Sequence, residues 1–196
     1  ANRHGLVTGV QTCALPISAC KACQIACKDK NDLKVGELFR KVYEYESGMH
    51  PNVWGYSLSL ACNHCEDPKC VKGCPTKALH KLENGIVDHD KNKCIGCRFC
   101  TWNCPYGAPQ FREEIGKVGK CDMCKDLIAN GENPACIDAC PMRAIEYGEL
   151  EELKAKYGNE SVNELPTLPL ASITSPALLI KPKALAKQKD IQVKEV

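Results

Sequence analysis

The sequence predicts a small, loop-rich α+β protein that metal or disulfide cross-links hold together. Sixteen of its 196 residues are cysteine, whereas only three phenylalanines and two tryptophans are available for an apolar core. The cysteines recur in closely spaced groups, and the segments between them carry short strand patterns and single helical turns. Because the chain is rich in cysteine and poor in large apolar residues, disulfides or metals must supply part of its stability.

The rest of the sequence favours metal over disulfides. We find no secretory signal and no stretch approaching the roughly 20 apolar residues of a membrane helix. The most apolar segment, 168–180, is interrupted by Pro169 and Pro176. The formal net charge is +2, and no dense basic stripe with interleaved aromatic residues is present. We therefore expect synthesis in a reducing cytosol, no direct membrane span and no nucleic-acid partner.

The cysteines form four groups of four when Cys13 is counted provisionally in the first. The third group, CIGCRFCTWNCP, is a complete C-x₂-C-x₂-C-x₃-C-P motif. In this bacterial iron–sulfur motif three thiolates bind one cluster and the fourth binds another, so such groups occur in pairs. Four groups therefore predict four clusters. The groups are Cys13, Cys20, Cys23 and Cys27; Cys62, Cys65, Cys70 and Cys74; Cys94, Cys97, Cys100 and Cys104; and Cys121, Cys124, Cys136 and Cys140.

Zinc sites and disulfides fit this cysteine pattern less well. Zinc ribbons also use paired C-x₂-C units, but they need four ligands in total and no x₂-x₂-x₃ run. A disulfide framework is difficult to form when three cysteines lie within seven residues, as Cys94 to Cys100 do. A zinc-stabilised interaction module stays as the alternative. The chain has no glycine-rich phosphate loop and no acid–base constellation, so we expect no catalytic site of its own.

The first cysteine group is incomplete. Cys20, Cys23 and Cys27 read C-x₂-C-x₃-C, and the full motif requires a cysteine where the chain has Ile17. Residues 1–18, ANRHGLVTGVQTCALPIS, look like translated sequencing-adapter read-through joined to a truncated gene. We therefore expect 1–18 to be artefactual or disordered, and the natural protein to have a cysteine at position 17. Ligation by Cys13 is the alternative.

Short elements are expected early in the chain. ACQIACKDKND (22–32) predicts a helical turn that ends near Asp32. LFRKVYEYE (38–46) and YSLSLA (56–61) alternate between apolar and polar residues as strands do. These patterns place a helical turn at the first cysteine group and a pair of strands between the first and second groups.

An internal repeat follows the second and fourth groups. CPTKALHKLENG (74–85) resembles CPMRAIEYGEL (140–150), and each places a short strand after Cys-Pro. Asn84-Gly85 predicts a hairpin turn. ELEELKAKYG predicts a surface helix that ends at Gly158. Residues 165–196 contain four prolines, and we expect this segment to bury little by itself and to be either disordered or extended on a partner.

Three residues near the cysteines are considered for a role at the metal sites. His64 is expected to be a solvated loop residue, because the complete cysteine sets leave no vacancy for it. Trp102 either packs over a metal site and excludes water or belongs to a plain core. Lys120 either raises the potential of a nearby cluster or is a surface charge, and we favour the surface charge.

The groups, their order and the residues between them resemble a known family. The stretches RKVYEYE, SLACNHCEDPKC, CIGCRFC…CPYGAPQF and KCDMC…CIDACPMRAIEYG are similar to the iron–sulfur electron-transfer subunit, the B subunit, of dimethyl sulfoxide reductase. This subunit belongs to a four-cluster superfamily that serves molybdopterin oxidoreductases. The resemblance begins near Ala19 and runs to the C-terminus, and it is strongest between Val42 and Gly148.

The resemblance implies two ferredoxin-like modules, with one inserted in the other. Residues 19–57 and 107–150 would form the outer module, 58–106 the inserted module, and 151–196 a helix and an extended docking tail. It also implies four [4Fe–4S] clusters, of which the fourth lacks a ligand because of Ile17. The implied ligand sets are Cys62, Cys65, Cys70 and Cys104; Cys94, Cys97, Cys100 and Cys74; Cys121, Cys124, Cys136 and Cys27; and Cys20, Cys23 and Cys140.

The resemblance further implies a non-catalytic electron-transfer subunit. Its partners would be a quinol-oxidising membrane anchor and a molybdopterin-containing catalytic subunit that reduces dimethyl sulfoxide or a related oxide in anaerobic respiration. The implied location is peripheral on the cytoplasmic membrane, either periplasmic by co-export with a twin-arginine partner or cytoplasmic. Polysulfide, tetrathionate, formate dehydrogenase and hydrogenase complexes are alternative settings for the same role.

Overall fold

The computed structural model describes residues 6–7, 10–12, 19–158, 161–182, 184–187 and 192–194. Cys13 and Ile17 lie outside these residues. The α-helices are α1 Ala22–Lys30, α2 Lys69–Lys72, α3 Phe99–Asn103, α4 Lys125–Ala129, α5 Ala135–Asp138 and α6 Leu150–Tyr157. The strands are β1 Leu6–Val7, β2 Val10–Thr12, β3 Lys41–Ser47, β4 Trp54–Leu60, β5 Leu79–Lys81, β6 Val87–His89, β7 Gln110–Arg112, β8 Lys117–Gly119, β9 Gly148–Glu149, β10 Leu179–Lys181 and β11 Gln192–Lys194.

The hairpin of β3 and β4 carries the main apolar face of the molecule. The strands pair antiparallel, with Tyr45 opposite Tyr56, and β11 adds to the outer side of β3. The Tyr45 and Tyr56 rings stack with their centroids 4.8 Å apart, and Leu58 next to them is buried. The two strands expected from the alternating pattern are therefore confirmed, because one face of the hairpin is covered and the other is partly exposed.

Two helix pairs bring separate cysteine groups together. Helix α1 packs against α5, and α2 packs against α3. The N-cap residues of α1 and α3, Lys21 and Arg98, both adopt the left-handed conformation, with φ of 57° and 63°. The two turns are equivalent in sequence, since each N-cap is followed by one residue and then a helical cysteine. The helical turn predicted at 22–32 is confirmed.

Two small hairpins complete the central region. Strands β5 and β6 pair around the Asn84-Gly85 turn, where Gly85 has φ of 83° and the Asn84 side chain accepts a 3.2 Å hydrogen bond from the Ile86 amide. Strands β7 and β8 form the second hairpin. The predicted Asn-Gly turn is confirmed, because only a residue that tolerates positive φ fits the second turn position.

The C-terminal region packs on the rest of the chain. Helix α6 ends at Gly158 as predicted. Leu165, Leu178 and Ile180 are buried with Tyr45 and other residues of the β3–β4 hairpin. The expectation that this segment buries little by itself is therefore wrong. Its prolines break the periodicity that marks a helix or strand, but its leucines and isoleucines still have an apolar face to cover.

The architecture is a small mixed fold of short helices and short, mostly antiparallel hairpins. Within residues 1–18, expected to be artefactual or disordered, β1 pairs antiparallel with β9 and β2 pairs parallel with β10. Among the described residues, no helix combines the length and the apolar character needed to cross a bilayer.

Candidate metal centre

The described cysteines lie on short helices and on the loops that flank them. Helix α1 carries Cys23 and Cys27, whereas α2, α3 and α5 each carry one buried cysteine, namely Cys70, Cys100 and Cys136. All fifteen described cysteines are free of disulfides. Within the same residues, no three His, Cys, Asp or Glu side chains are placed to hold a single metal ion.

The first predicted ligand set lies between α2 and α3. Burial raises the pKa of Cys70 to about 12, and the neighbouring Cys62, Cys104 and Cys65 thiols add to the effect while Lys120 opposes it. Burial likewise raises the pKa of Cys65 to about 11, with Cys62 and Cys104 contributing. The four thiols are therefore neighbours, and burial is the main cause of the raised pKa of Cys65 and Cys70. A metal cation bound among these sulfurs would stabilise their thiolate forms, and it would remove the cost of deprotonating several neighbouring thiols.

The second predicted set includes Cys100 on α3 and Cys74, which follows α2. Burial raises the pKa of Cys100 to about 11, and Cys74, Cys94 and Cys97 are its thiol neighbours. Cys97 is exposed, so this set lies at the surface of the molecule. The helix that supplies Cys100 also ends at Cys104 of the first set. One helix therefore presents ligands to both predicted sites.

The third predicted set lines a single cavity. Its members are Cys27, Cys121, Cys124 and Cys136, and Cys62 of the first set lies at the same cavity. Burial raises the pKa of Cys27 to about 12, with Cys136 and Cys124 among the contributing neighbours. Burial also raises the pKa of Cys121 well above its usual value. The donor set fits a thiolate-bound cluster, since sulfur from four chain positions converges on one space.

The fourth predicted set is partly assembled. Burial raises the pKa of Cys23, and Cys136 and Cys140 are its thiol neighbours. The Ser59 hydroxyl lies 3.3 Å from the Cys23 sulfur. Cys20 is exposed. The position of a further ligand from Cys13 or residue 17 lies outside the described residues.

The two Cys-Pro repeats form equivalent loops. In each loop the residue three positions after the cysteine has a positive φ, 53° at Lys77 and 49° at Arg143, and its amide bonds the cysteine carbonyl. The Ala144 amide then donates to the Cys140 sulfur at 3.3 Å. Although burial alone would raise it, the pKa of Cys74 is lowered by backbone amides at Leu79, Ala78 and Thr76 and by the Thr76 hydroxyl. The loop at Cys74 therefore stabilises a thiolate.

Three expectations about residues near the cysteines are wrong. His64 is buried, and its Nδ1 accepts a 2.9 Å hydrogen bond from the Val87 amide. Lys120 is buried too, and its Nζ donates to the carbonyl oxygens of Val87 and Cys121. Trp102 is 79% exposed and covers neither a site nor a core. Polar side chains therefore fill part of the space that apolar residues occupy in larger cores.

Sequence reasoning missed Arg40. This residue is 7% exposed and lies at the cavity of the third set. In the sequence it stands between Phe39 and Lys41 in a strand-like run, where an arginine is ordinarily a solvated residue. No local pattern distinguishes it from the lysine that follows.

Comparison with known proteins agrees with the chemistry of these sites. A family model for the 4Fe-4S dicluster domain matches residues 53–150. The B subunit of anaerobic dimethyl sulfoxide reductase of Escherichia coli (strain K12) is 46% identical over 175 residues, which cover 85% of this chain and 84% of the relative. The corresponding subunit of Haemophilus influenzae is 42% identical over 179 residues, 87% of this chain and 86% of the relative. The chain belongs to the family of dimethyl sulfoxide reductase B subunits.

The resemblance drawn from the cysteine motifs is therefore confirmed. The family also has more distant iron–sulfur relatives. The formate dehydrogenase-O iron-sulfur subunit of Escherichia coli (strain K12) is 36% identical over 166 residues, which cover 76% of this chain and 55% of that relative. What the chain shares with both groups of relatives is iron–sulfur chemistry.

Proposed function

We propose that this B-subunit homologue transfers electrons through four [4Fe–4S] clusters from a quinol-oxidising membrane anchor to a molybdopterin-containing catalytic subunit. That subunit would reduce dimethyl sulfoxide or a related oxide. The observation that carries the proposal is the clustering of thiols from distant chain positions, since Cys27, Cys121, Cys124 and Cys136 line one cavity and Cys62 and Cys104 are neighbours of Cys70. The identity of 46% to a dimethyl sulfoxide reductase subunit over most of both chains supports the choice of oxidoreductase.

The proposed ligands are the cysteines named above, four for each of three clusters and Cys20, Cys23 and Cys140 for the fourth. When bound, the clusters supply reversible one-electron chemistry, and the protein supplies spacing, orientation and exclusion of water. Burial of Cys27, Cys70 and Cys100 keeps the sulfurs away from solvent. Because Cys62 lies at the cavity of the third set, the first and third sites are neighbours.

The two helix pairs support the proposed division into modules. The packing of α1 on α5 supports an outer module of residues 19–57 and 107–150, and the packing of α2 on α3 supports an inserted module of residues 58–106. For the fourth site we propose a natural cysteine at position 17. Sequencing the 5′ end of the gene tests this point, and an isoleucine codon in clean reads would refute it.

The proposed assembly is peripheral to the cytoplasmic membrane. The catalytic and anchor subunits are partners by analogy with the dimethyl sulfoxide reductase and formate dehydrogenase complexes that the relatives are named for. The C-terminal region is proposed to dock on the catalytic subunit. Its packing on the β3–β4 hairpin leaves Leu170 63% exposed and Ile173 42% exposed, so part of its apolar surface is available for that contact.

The decisive experiment is anaerobic purification of the full chain followed by analysis of iron and inorganic sulfide. We expect both elements in nearly equal amounts and a broad visible absorbance that dithionite bleaches. A folded, colourless protein loaded with zinc would overturn the proposal and favour the interaction module. The large subunit that co-purifies from the native host then separates the dimethyl sulfoxide setting from the formate dehydrogenase, polysulfide, tetrathionate and hydrogenase settings.

A further inference from the structure

A buried arginine lies beside the third cysteine set. Arg40 is 7% exposed and lines the cavity that Cys27, Cys121, Cys124 and Cys136 also line. It follows the buried Phe39 and precedes β3, so its backbone is fixed at the base of the main hairpin. A guanidinium is rarely buried without a charged or strongly polar partner, because loss of hydration is costly.

The hydrogen bonds of Arg40 satisfy only part of its donor capacity. Its Nη1 donates to the Ser59 hydroxyl at 3.0 Å and to the Ser59 carbonyl oxygen at 3.3 Å. Its Nε is buried and has no hydrogen-bond partner. Because a guanidinium has donors only, the Ser59 hydroxyl accepts from Arg40 and keeps its own hydrogen for the Cys23 sulfur, 3.3 Å away. Ser59 therefore joins Arg40 to the fourth cysteine set.

The neighbours that most favour the charged form of Arg40 are cysteine side chains, and Asp122 and Glu146 line the same cavity. Although burial lowers the pKa of Arg40, the neighbouring Cys136, Cys121, Cys23 and Cys27 raise it overall. These four cysteines belong to the third and fourth sets. The charge of Arg40 therefore lies near cysteines of two predicted cluster sites, and its Nε–H is a buried donor without a protein partner.

We propose that Arg40 is a positioning residue that raises the reduction potential of the cluster held by Cys27, Cys121, Cys124 and Cys136, with Ser59 fixing its guanidinium. The inference rests on the proposed function. Reduction adds one negative charge to a site that four thiolates already make anionic. A buried cation stabilises the reduced form more than the oxidised form, and in a poorly solvated site this effect is large. Hydrogen bonds to cluster sulfurs act in the same direction.

The test compares midpoint potentials in the full chain, purified anaerobically with its clusters. EPR-monitored redox titrations are made on the wild type, Arg40→Gln, Arg40→Lys and Arg112→Gln. We expect Arg40→Gln to shift the centre held by Cys27, Cys121, Cys124 and Cys136 to a lower midpoint potential, and Arg40→Lys to shift it less because the charge is kept. Arg112→Gln removes the same charge, but Glu37 already neutralises this arginine at 2.9 Å, so we expect no shift.

The outcomes distinguish failure of the proposed electron-transfer function from failure of the proposed role of Arg40. If the wild type binds no iron or sulfide, the proposed function fails. If Arg40→Gln retains its clusters with unchanged midpoint potentials, or if the lysine variant shifts as far as the glutamine variant, the role of the Arg40 charge is overturned. If Arg40→Gln does not retain clusters, Ser59→Ala decides, with Ser57→Ala on the same strand as the control. Because the Ser59 hydroxyl itself faces Cys23 of the fourth set, the third-set cluster is the one compared. A lower potential of that cluster in Ser59→Ala alone supports the inference, and equal potentials of that cluster in both variants refute it.

Discussion

At the scale of single residues, the second predicted site depends on a glycine in the Cys94–Cys97 loop. Gly96 has φ of 71°, and a Cβ at this position would clash with the carbonyl oxygen of Gly116. Gly116 follows the 3₁₀ turn Glu113–Ile115 and precedes β8, so its backbone has little room to move. The conformation of the loop between Cys94 and Cys97 is therefore constrained by its backbone contact with Gly116.

We expect Gly96→Ala to release the cluster held at Cys94, Cys97, Cys100 and Cys74. The added methyl group displaces the loop from Gly116 and adds the strain of a left-handed alanine, about 1–2 kcal/mol. The measurement is iron per chain after anaerobic purification, and the loss should equal the share of one cluster. Gly131→Ala is the control, because Gly131 also has a positive φ of 77° but open space around its Cβ position. Equal iron in both variants would contradict the prediction.

The candidate ligands could be proposed from the sequence at this scale, but their surroundings could not. Motif spacing places Cys94 and Cys100 on one site because ligands so close in sequence have little freedom to separate. Burial of His64, Lys120 and Arg40 depends on which distant segments cover them. Each is held by a long-range hydrogen bond, and the partner is Val87 for both His64 and Lys120. Local composition carries no signal for such a partner.

At the scale of elements, a glutamine side chain joins β7 to the segment before β3. The side-chain Oε1 of Gln110 accepts a 2.9 Å hydrogen bond from the Leu38 amide, and its Nε2 donates to the Leu38 carbonyl oxygen at 2.7 Å. The Arg112–Glu37 ion pair lies beside this contact. The Gln110 contact joins the 107–150 segment to Leu38, two residues before Arg40.

We expect Gln110→Leu to destabilise the protein by about 1–3 kcal/mol, because both Leu38 backbone groups lose their partner. For a chain of this size each kcal/mol lowers the melting temperature by roughly 2–4 °C. The measurement is the apparent melting temperature of the cluster-loaded protein under anaerobic conditions. Asn92→Leu is the matched control, since it makes the same kind of change at an exposed turn. An equal melting temperature for the two variants would show that the Gln110 contact is not formed.

The elements themselves were mostly predictable from local patterns. The β3–β4 hairpin, the Asn84-Gly85 turn and the end of α6 at Gly158 each follow a rule that acts within a few residues. The pairing of α1 with α5 is different, because it joins residues more than 100 positions apart. Spacing within one cysteine group does not determine which other group it meets, and only the family resemblance predicted that pairing.

At the scale of the whole molecule, the apolar cluster of the main hairpin differs in composition from the cysteine sites, although its Leu178 also lines the cavity of the third set. The apolar cluster of Tyr45, Tyr56, Leu58, Leu178 and Ile180 lies on the main hairpin and contains no cysteine. Smaller clusters contain cysteines among their buried members, such as Cys23 with Ile145. The C-terminal region contributes to the first kind of core. It also reaches the second cysteine group, since the Ala177 amide donates to the Asn63 carbonyl oxygen at 3.1 Å.

The C-terminal region should therefore stabilise the chain even without a partner, and Leu178→Ala tests this. Leu178 is 3% exposed in the apolar cluster, so its truncation should cost about 2–5 kcal/mol. Leu170→Ala makes the same change at a residue that is 63% exposed, and it should cost no more than about 0.5 kcal/mol. The apparent melting temperatures of the two variants are compared for the isolated, cluster-loaded chain. If they coincide, the segment packs only in a complex, and the docking surface would include Leu178 as well as Leu170.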